Sequence, residues 1–239
     1  MKKIVMYPHG GSDNHGCEAI VKTTIDIMNQ TLIGIENSKL ISSAPQQDIA
    51  QGIDEICEIK NHIRHLDKFS IDYLKCFVNK NVLGKSDAFD NYSFSNIYGD
   101  ADEKTLALSI GGDNYCYGVP YHILFVNRKL RERKVKNVLW GCSIEPDSMK
   151  GEMLQDLEGY NLIFARETIT YNALKNKGLS NVRLCPDPAF LLAPQETDLP
   201  KGFEEGNTIG INLSPMIMSY EKDDGKIGRA SCRERVSTS

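Results

Sequence analysis

Short apolar runs and amphipathic stretches alternate along this chain of 239 residues. KKIVMY (2–7) carries a continuous apolar run from Ile4 to Tyr7, the pattern of a buried strand, and a Gly-rich turn follows it. Residues 17–29 put Ile20, Thr24, Ile27 and Met28 on one face with Val21 and Ile25 beside it, which predicts a helix. SKLISSA (38–44) and DEICEI (54–59) read as strands, and 69–82 as a helix. Residues 84–102 are polar and rich in Gly, Asn, Ser and Asp, and read as a long loop. TLALSIGG (105–112) is a strand ending in paired glycines. Helix then alternates with strand: 121–134 helix, 135–143 strand, 150–158 helix, 161–166 strand, 167–177 helix closed by Gly178, and 181–185 strand.

That alternation implies βαβ units with right-handed crossovers, hence an α/β, Rossmann-like parallel sheet flanked by helices over residues 1–192. Residues 193–207 carry two prolines and two glycines among polar residues and read as a linker. TIGINLS (208–214) reads as the first strand of a second α/β domain, which we expect to be cut short near 225. Residues 226–239 break the pattern. They hold Lys226, Arg229, Arg233 and Arg235 against Glu234, while the rest of the chain has 24 basic against 31 acidic residues. IGRASCRERV, within this tail, is similar to a translated sequencing-adapter read, so we expect 226–239 to be non-native and leave it out of the fold.

Composition narrows the function class. The overall charge of −4 offers nothing to nucleic acid. No run approaches the roughly 18 apolar residues of a membrane span. The apolar run after the two N-terminal lysines is too short for a signal peptide, so we expect a cytoplasmic protein, free or peripheral to the inner face of the membrane. Seven cysteines without CxxC or zinc-like spacing read as free thiols. His62 and His65 lack further ligands nearby and read as a solvated segment, so no metal is expected.

In an open parallel sheet, ligands bind beyond the carboxyl ends of the strands. The first such loop, PHGGSDNHGCEA (8–19), lacks both the GxGxxG and the GxxxxGK[ST] spacing. Its Gly10 and Gly11 could let a ligand approach the backbone. Asp13, Asn14 and His15 could do acid/base or sugar-hydroxyl work, or could simply cap a tight turn. SIGGDNYCYG (109–118) places Gly111, Gly112, Asp113 and Asn114 at the next strand end, where a ligand approach and an Asx-capped turn both fit. Trp140, the only tryptophan, reads as core. Arg166 directly follows an apolar strand and suits a phosphate or carboxylate, or an ion pair with Glu167 or a nearby Asp. Asp187 sits between two prolines in a rigid turn.

These loops, in this order, resemble the polysaccharide pyruvyl transferase family. GGSDNHGCEAI is similar to its N-terminal glycine motif, and SIGGDN to its Gly-Gly-Asp turn, with two glycines instead of three. WGCSIEP resembles the strand that follows. ARETITYNALKNKG is similar to its Arg-Asp/Glu helix start, LCPDPAFLL to its Asp-x-x-Phe-x-Leu segment, and IGINLSP to the opening strand of its second domain. The resemblance implies a two-domain, GT-B-like enzyme. It would transfer the enolpyruvyl unit of phosphoenolpyruvate to a saccharide or lipid-linked oligosaccharide, closing a pyruvate ketal, with no cofactor beyond the donor substrate. It points to Asp13 and His15 as acid/base candidates. Substrate-binding candidates are Gly10, Gly11, Ser12, Asn14, Gly111, Gly112, Asp113, Asn114, Arg166, Glu167, Asp187 and Ser214. With the cleft between two domains, this length of chain is expected to be inactive alone. The alternatives are a GT-B glycosyltransferase using a nucleotide sugar, or a non-catalytic sugar- or anion-binding module.

Overall fold

The computed structural model describes residues 3–31, 37–194, 196 and 198–211. Seven parallel strands form one sheet: β1 (Lys3–His9), β2 (Asn37–Ser42), β3 (Glu58–Asn61), β4 (Thr105–Ser109), β5 (Lys136–Cys142), β6 (Leu162–Ala165) and β7 (Val182–Leu184). Their order is β3-β2-β1-β4-β5-β6-β7. The chain therefore winds outward from β1 in one direction and from β4 in the other, a Rossmann-like α/β arrangement.

The central strands are apolar throughout because both faces are covered. All five residues of β4 are buried. On one face Ile4 and Met6 of β1, Leu40 of β2 and Leu106 and Leu108 of β4 pack against Ile20, Val21, Ile25 and Met28 of helix α1 (His15–Thr31). On the other, the intervening Val5, Tyr7 and Ala107 meet Val126 and Leu130 of a second helix, Tyr121–Glu132. A third cluster closes the β5–β7 end, where Leu139, Ile163 and Val182 pack on Met149, Met153, Leu157 and Leu174.

Between β2 and β4 the structure departs from the sequence expectation. Residues 45–50 form α2 (Pro45–Ala50), and the strand expected at 54–59 begins only at Glu58, after a 3-10 turn. After α3 (Ile71–Asn81), the expected loop 84–102 contains two short helices, α4 (Ala88–Ser93) and α5 (Ser95–Tyr98). They are too short to show a 3.6-residue period, but Ile97 and Tyr98 are almost fully buried and anchor them. The remaining helices are α6 (Tyr121–Glu132), α7 (Gly151–Glu158) and α8 (Thr168–Asn176).

A polar network lies inside the core beside α6. Tyr7 Oη donates to Asn127 Oδ1 at 2.7 Å and Asn137 Oδ1 at 2.9 Å. Asn127 Nδ2 donates to Asp156 Oδ2 at 2.6 Å and Tyr160 Oη at 2.9 Å, and Tyr115 Oη also donates to Asp156 Oδ2, at 2.7 Å. Arg131 reaches the other carboxylate oxygen at 2.9 Å. Burial pushes the phenols of Tyr7, Tyr115 and Tyr160 well above their ordinary range, so all three stay protonated.

One compact unit spans Met1–Ala193 and a second Pro194–Ser239. The described residues of the second form turns only, such as Thr208 Oγ1 accepting from Glu204 N at 2.8 Å. Of the strand expected at 208–214 only 208–211 are described, and they carry no strand pairing. Residues 212–214, with Ser214, and the tail 226–239 lie outside the described residues.

Candidate functional site

The strand order reverses between β1 and β4, so the loops at their carboxyl ends diverge and leave a crevice. A cavity of about 350 Å3 occupies it, lined by Pro8, His9, Gly10, Asn14 and Cys17 on the β1 side. Ile110, Gly111, Gly112, Asp113 and Asn114 line it from β4, and Ser43, His62 and His122 complete it. Main-chain bonds continue past the strand ends and hold these loops together. Ser43 N donates to His9 O at 2.9 Å, His62 N to Ser42 O at 2.7 Å, and Ser143 N to Gly112 O at 2.7 Å. A second cavity of about 480 Å3, between Trp140, Phe164, Phe190 and Leu191, is almost wholly apolar. The crevice at β1 and β4 combines a polar lining with the place at the carboxyl ends of the strands where open parallel sheets bind ligands.

The deepest polar group in the crevice is His9. β1 runs past Pro8, where the register shifts, and rejoins β2 at His9 opposite Ser42. His9 is 4% exposed, and Asp48, from α2, is fully buried. Asp48 Oδ1 accepts from Ser12 Oγ at 2.6 Å and from His9 Nε2 at 2.8 Å. Asp48 Oδ2 is buried without a partner. Burial pushes the imidazole below its ordinary pKa, against the opposing pull of Asp48. A neutral ring that donates through Nε2 keeps its lone pair on Nδ1. Because Ser12 gives its proton to Asp48 instead of His9, the trio is not a serine-nucleophile relay. It is a histidine held in one tautomer by a buried carboxylate.

Arg166, just beyond β6, is pinned across the β5 and β7 loops. Its Nε donates to Ser143 Oγ at 2.8 Å and its Nη1 to Asp187 Oδ2 at 2.8 Å. The other oxygen of Asp187 accepts from Ala189 N at 2.9 Å and caps the turn that follows. Among the described residues Nη2 makes no hydrogen bond. Gly112 admits the guanidinium: a Cβ there would stand 2.4 Å from Nη1. Gly111 is similarly filled by Asn114, and Gly11, at φ +115°, by Gln47 and Ala44. Of the four loop glycines singled out from sequence, Gly10 alone faces open space.

The other sequence candidates divide between rim and scaffold. Asp13 and His15 are exposed, and His15 Nδ1 bonds Glu18 at 2.7 Å. Asn14 Oδ1 accepts from Gly16 N at 3.0 Å, the turn cap, while also lining the cavity. Asn114 Nδ2 donates to Ser109 Oγ at 3.2 Å, and Asp113 is exposed at the rim. Glu167 caps α8, accepting from Ile169 N and Thr170 N. The His62 ring, expected in solvent, instead packs against Phe94 and lies 6.0 Å from the His122 ring. Loss of water around both rings lowers their pKa, and the neighbouring His122 further disfavours charge on His62. Burial raises the Cys17 thiol, so it is no thiolate nucleophile.

A family model described as polysaccharide pyruvyl transferase matches residues 14–232. The chain belongs to the polysaccharide pyruvyl transferase family. That makes it a transferase of polysaccharide biosynthesis, moving a pyruvyl group to a saccharide acceptor. No curated protein matches the chain. The pyruvyl transferase match takes in the Gly111–Asn114 turn, Arg166 and Asp187. It begins after His9 and Asp13, and it ends inside the tail expected to be foreign. Among the described residues no helix is long and apolar enough to cross a membrane.

Sequence reading missed Asp48 and gave no site role to His9, His62 or His122. Pro8 reads as the end of the strand and hides His9. Asp48 lies 39 positions from its partner, in a short helix with no periodic signal.

Proposed function

We propose that the crevice at β1 and β4 binds phosphoenolpyruvate and transfers its enolpyruvyl unit to two hydroxyls of a saccharide, as a pyruvate ketal. Protonation of the donor at C3 makes a methyl group and an oxocarbenium-like centre at C2. One sugar hydroxyl adds at C2 and gives up its proton. A second hydroxyl then displaces phosphate from C2, which leaves as inorganic phosphate with the remaining proton. Donor and acceptor supply every atom, and the leaving group is the donor's own phosphate.

The observation that carries this reading is the buried His9–Asp48 pair at the floor of a polar crevice. A neutral imidazole with a free Nδ1 accepts the hydroxyl proton, and Asp48 stabilises the cation that forms. Arg166 offers its free Nη2 edge to carboxylate or phosphate, and Gly10 gives the donor room against the backbone. The exposed loop residues Asp13 and His15 are the candidates for the acid that protonates C3. The GT-B-like second half and a lipid-linked form of the acceptor belong to this proposal.

The test is phosphate release from phosphoenolpyruvate with a β-galactoside acceptor, comparing a protein that carries both halves of the proposed two-domain enzyme with its His9→Gln variant. The variant should lose about two to four orders of magnitude in kcat with KM for the donor little changed. Unchanged kcat would remove His9 from the chemistry. Release of a nucleotide from a sugar donor would replace the pyruvyl reading with glycosyl transfer.

A further inference from the structure

We propose that the outer face of α3 docks on an anionic lipid bilayer. A helix on a globular protein ordinarily buries its apolar stripe and shows its polar side. In α3 the order is reversed. Cys76 is its buried residue, and Asp72, Tyr73 and Asn79 share that inner side. The outer side carries Ile71 at 74% exposure and Leu74 at 61%, with Phe77 and Val78 beyond them, and Val82, the residue that ends the helix, is 72% exposed. Phe69, just before the helix, is 98% exposed. Its backbone sits at φ 73°, a left-handed conformation that bulky residues rarely adopt, and holds the ring clear of the protein.

Charge decides the partner. Residues 62–85 carry Arg64, Lys68, Lys75, Lys80 and Lys85 against Asp67 and Asp72, a net +3 in a chain of net −4. Asp72 is already engaged by Arg64 at 3.6 Å and Lys75 at 3.4 Å. Among the described residues Lys68 and Lys85, at the two ends of the stripe, have no ion pair, and Lys80 meets only the Phe89 ring. An aromatic and aliphatic stripe edged by lysines is the composition of a helix that lies in the bilayer interface. Anionic headgroups add attraction for each lysine near the surface. The segment also leaves β3 beside His62, which lines the crevice. A saccharide on a lipid carrier in that bilayer would thus reach the site by a short path. That last step rests on the pyruvyl-transfer reading; the docking does not, and its test reads no turnover.

The experiment is co-sedimentation of the full chain with vesicles of phosphatidylcholine alone, or of equal parts phosphatidylcholine and phosphatidylglycerol. Binding to the anionic vesicles should exceed binding to the neutral ones about tenfold or more and weaken with salt. Lys68→Glu with Lys85→Glu should lower it about tenfold or more. Leu74→Glu with Val78→Glu should abolish it without changing the circular dichroism, since both side chains face solvent. Phe69→Trp gives a second readout, its emission being quenched by brominated lipid on docking. Equal recovery with and without vesicles overturns the proposal, as does absence of quenching. A concentration-dependent dimer that Leu74→Glu with Val78→Glu dissolves, in a protein indifferent to vesicles, overturns it in favour of a contact between two copies. Loss of pyruvyl transfer would leave every one of these outcomes unchanged.

Discussion

Gly112 shows how one missing atom can serve position instead of stability. A methyl group there would meet the tip of Arg166, which can swing aside. Gly112→Ala should therefore cost under about 1 kcal/mol in chemical denaturation, because the clash falls on a flexible side-chain end. It should still release the guanidinium from Ser143 and Asp187 and raise KM for an anionic donor. An unchanged KM would show that Arg166 needs no such seat. The sequence marks this glycine, but the reason it suggests, ligand approach, is replaced by a neighbour 54 positions away. The same holds for Gly111 and Gly11. Local pattern shows where the backbone must be bare and is silent on what fills the space.

At the scale of elements, helix starts at the ligand edge are built from their own side chains. Glu167 reaches back to the first amides of α8, and that cap fixes the turn on which Arg166 stands. Glu167→Ala should cost about 1 kcal/mol of stability and lower the thermal midpoint by a few degrees. Activity should fall only as far as Arg166 shifts. Glu167→Asp, which retains a capping carboxylate, should recover most of the loss. The buried strands and long helices were legible because burial on both faces makes β1 and β4 continuously apolar, and because α1 and α6 repeat every three to four residues. α2, α4 and α5 were not, since four to six residues complete too little of a period. Their stability comes from tertiary anchors such as Ile97, Tyr98 and Asp48, and those contacts span too much sequence to leave a local trace.

Across the whole molecule, His9, His62 and His122 share a direction. Each has its pKa below the ordinary 6.5, so each binds protons more readily once the chain unfolds. Their contribution to stability is complete above about 6.5 and is lost as pH falls through the lowered folded values. Thermal midpoints should decline from near pH 6.5 downward, before the depressed carboxylates such as Glu18 and Asp87 begin to protonate. His9→Gln, neutral at every pH, should flatten that decline; an unaltered slope would place the effect elsewhere. The network of Tyr7, Asn127, Asn137, Tyr115, Tyr160, Asp156 and Arg131 has a different kind of consequence. Its members come from β1, β5, the β4 loop, α6, α7 and the turn before β6, and each satisfies another's buried polar atom. Replacing any one alone strands its partners without water, at about 1–3 kcal/mol for each group left unpaired. An apolar core of equal volume is often as stable as such a buried polar cluster. Reaching it one substitution at a time, however, means crossing a valley of poorly folded intermediates. The cluster is thus self-locking: each residue holds the others in place, independently of anything the crevice does.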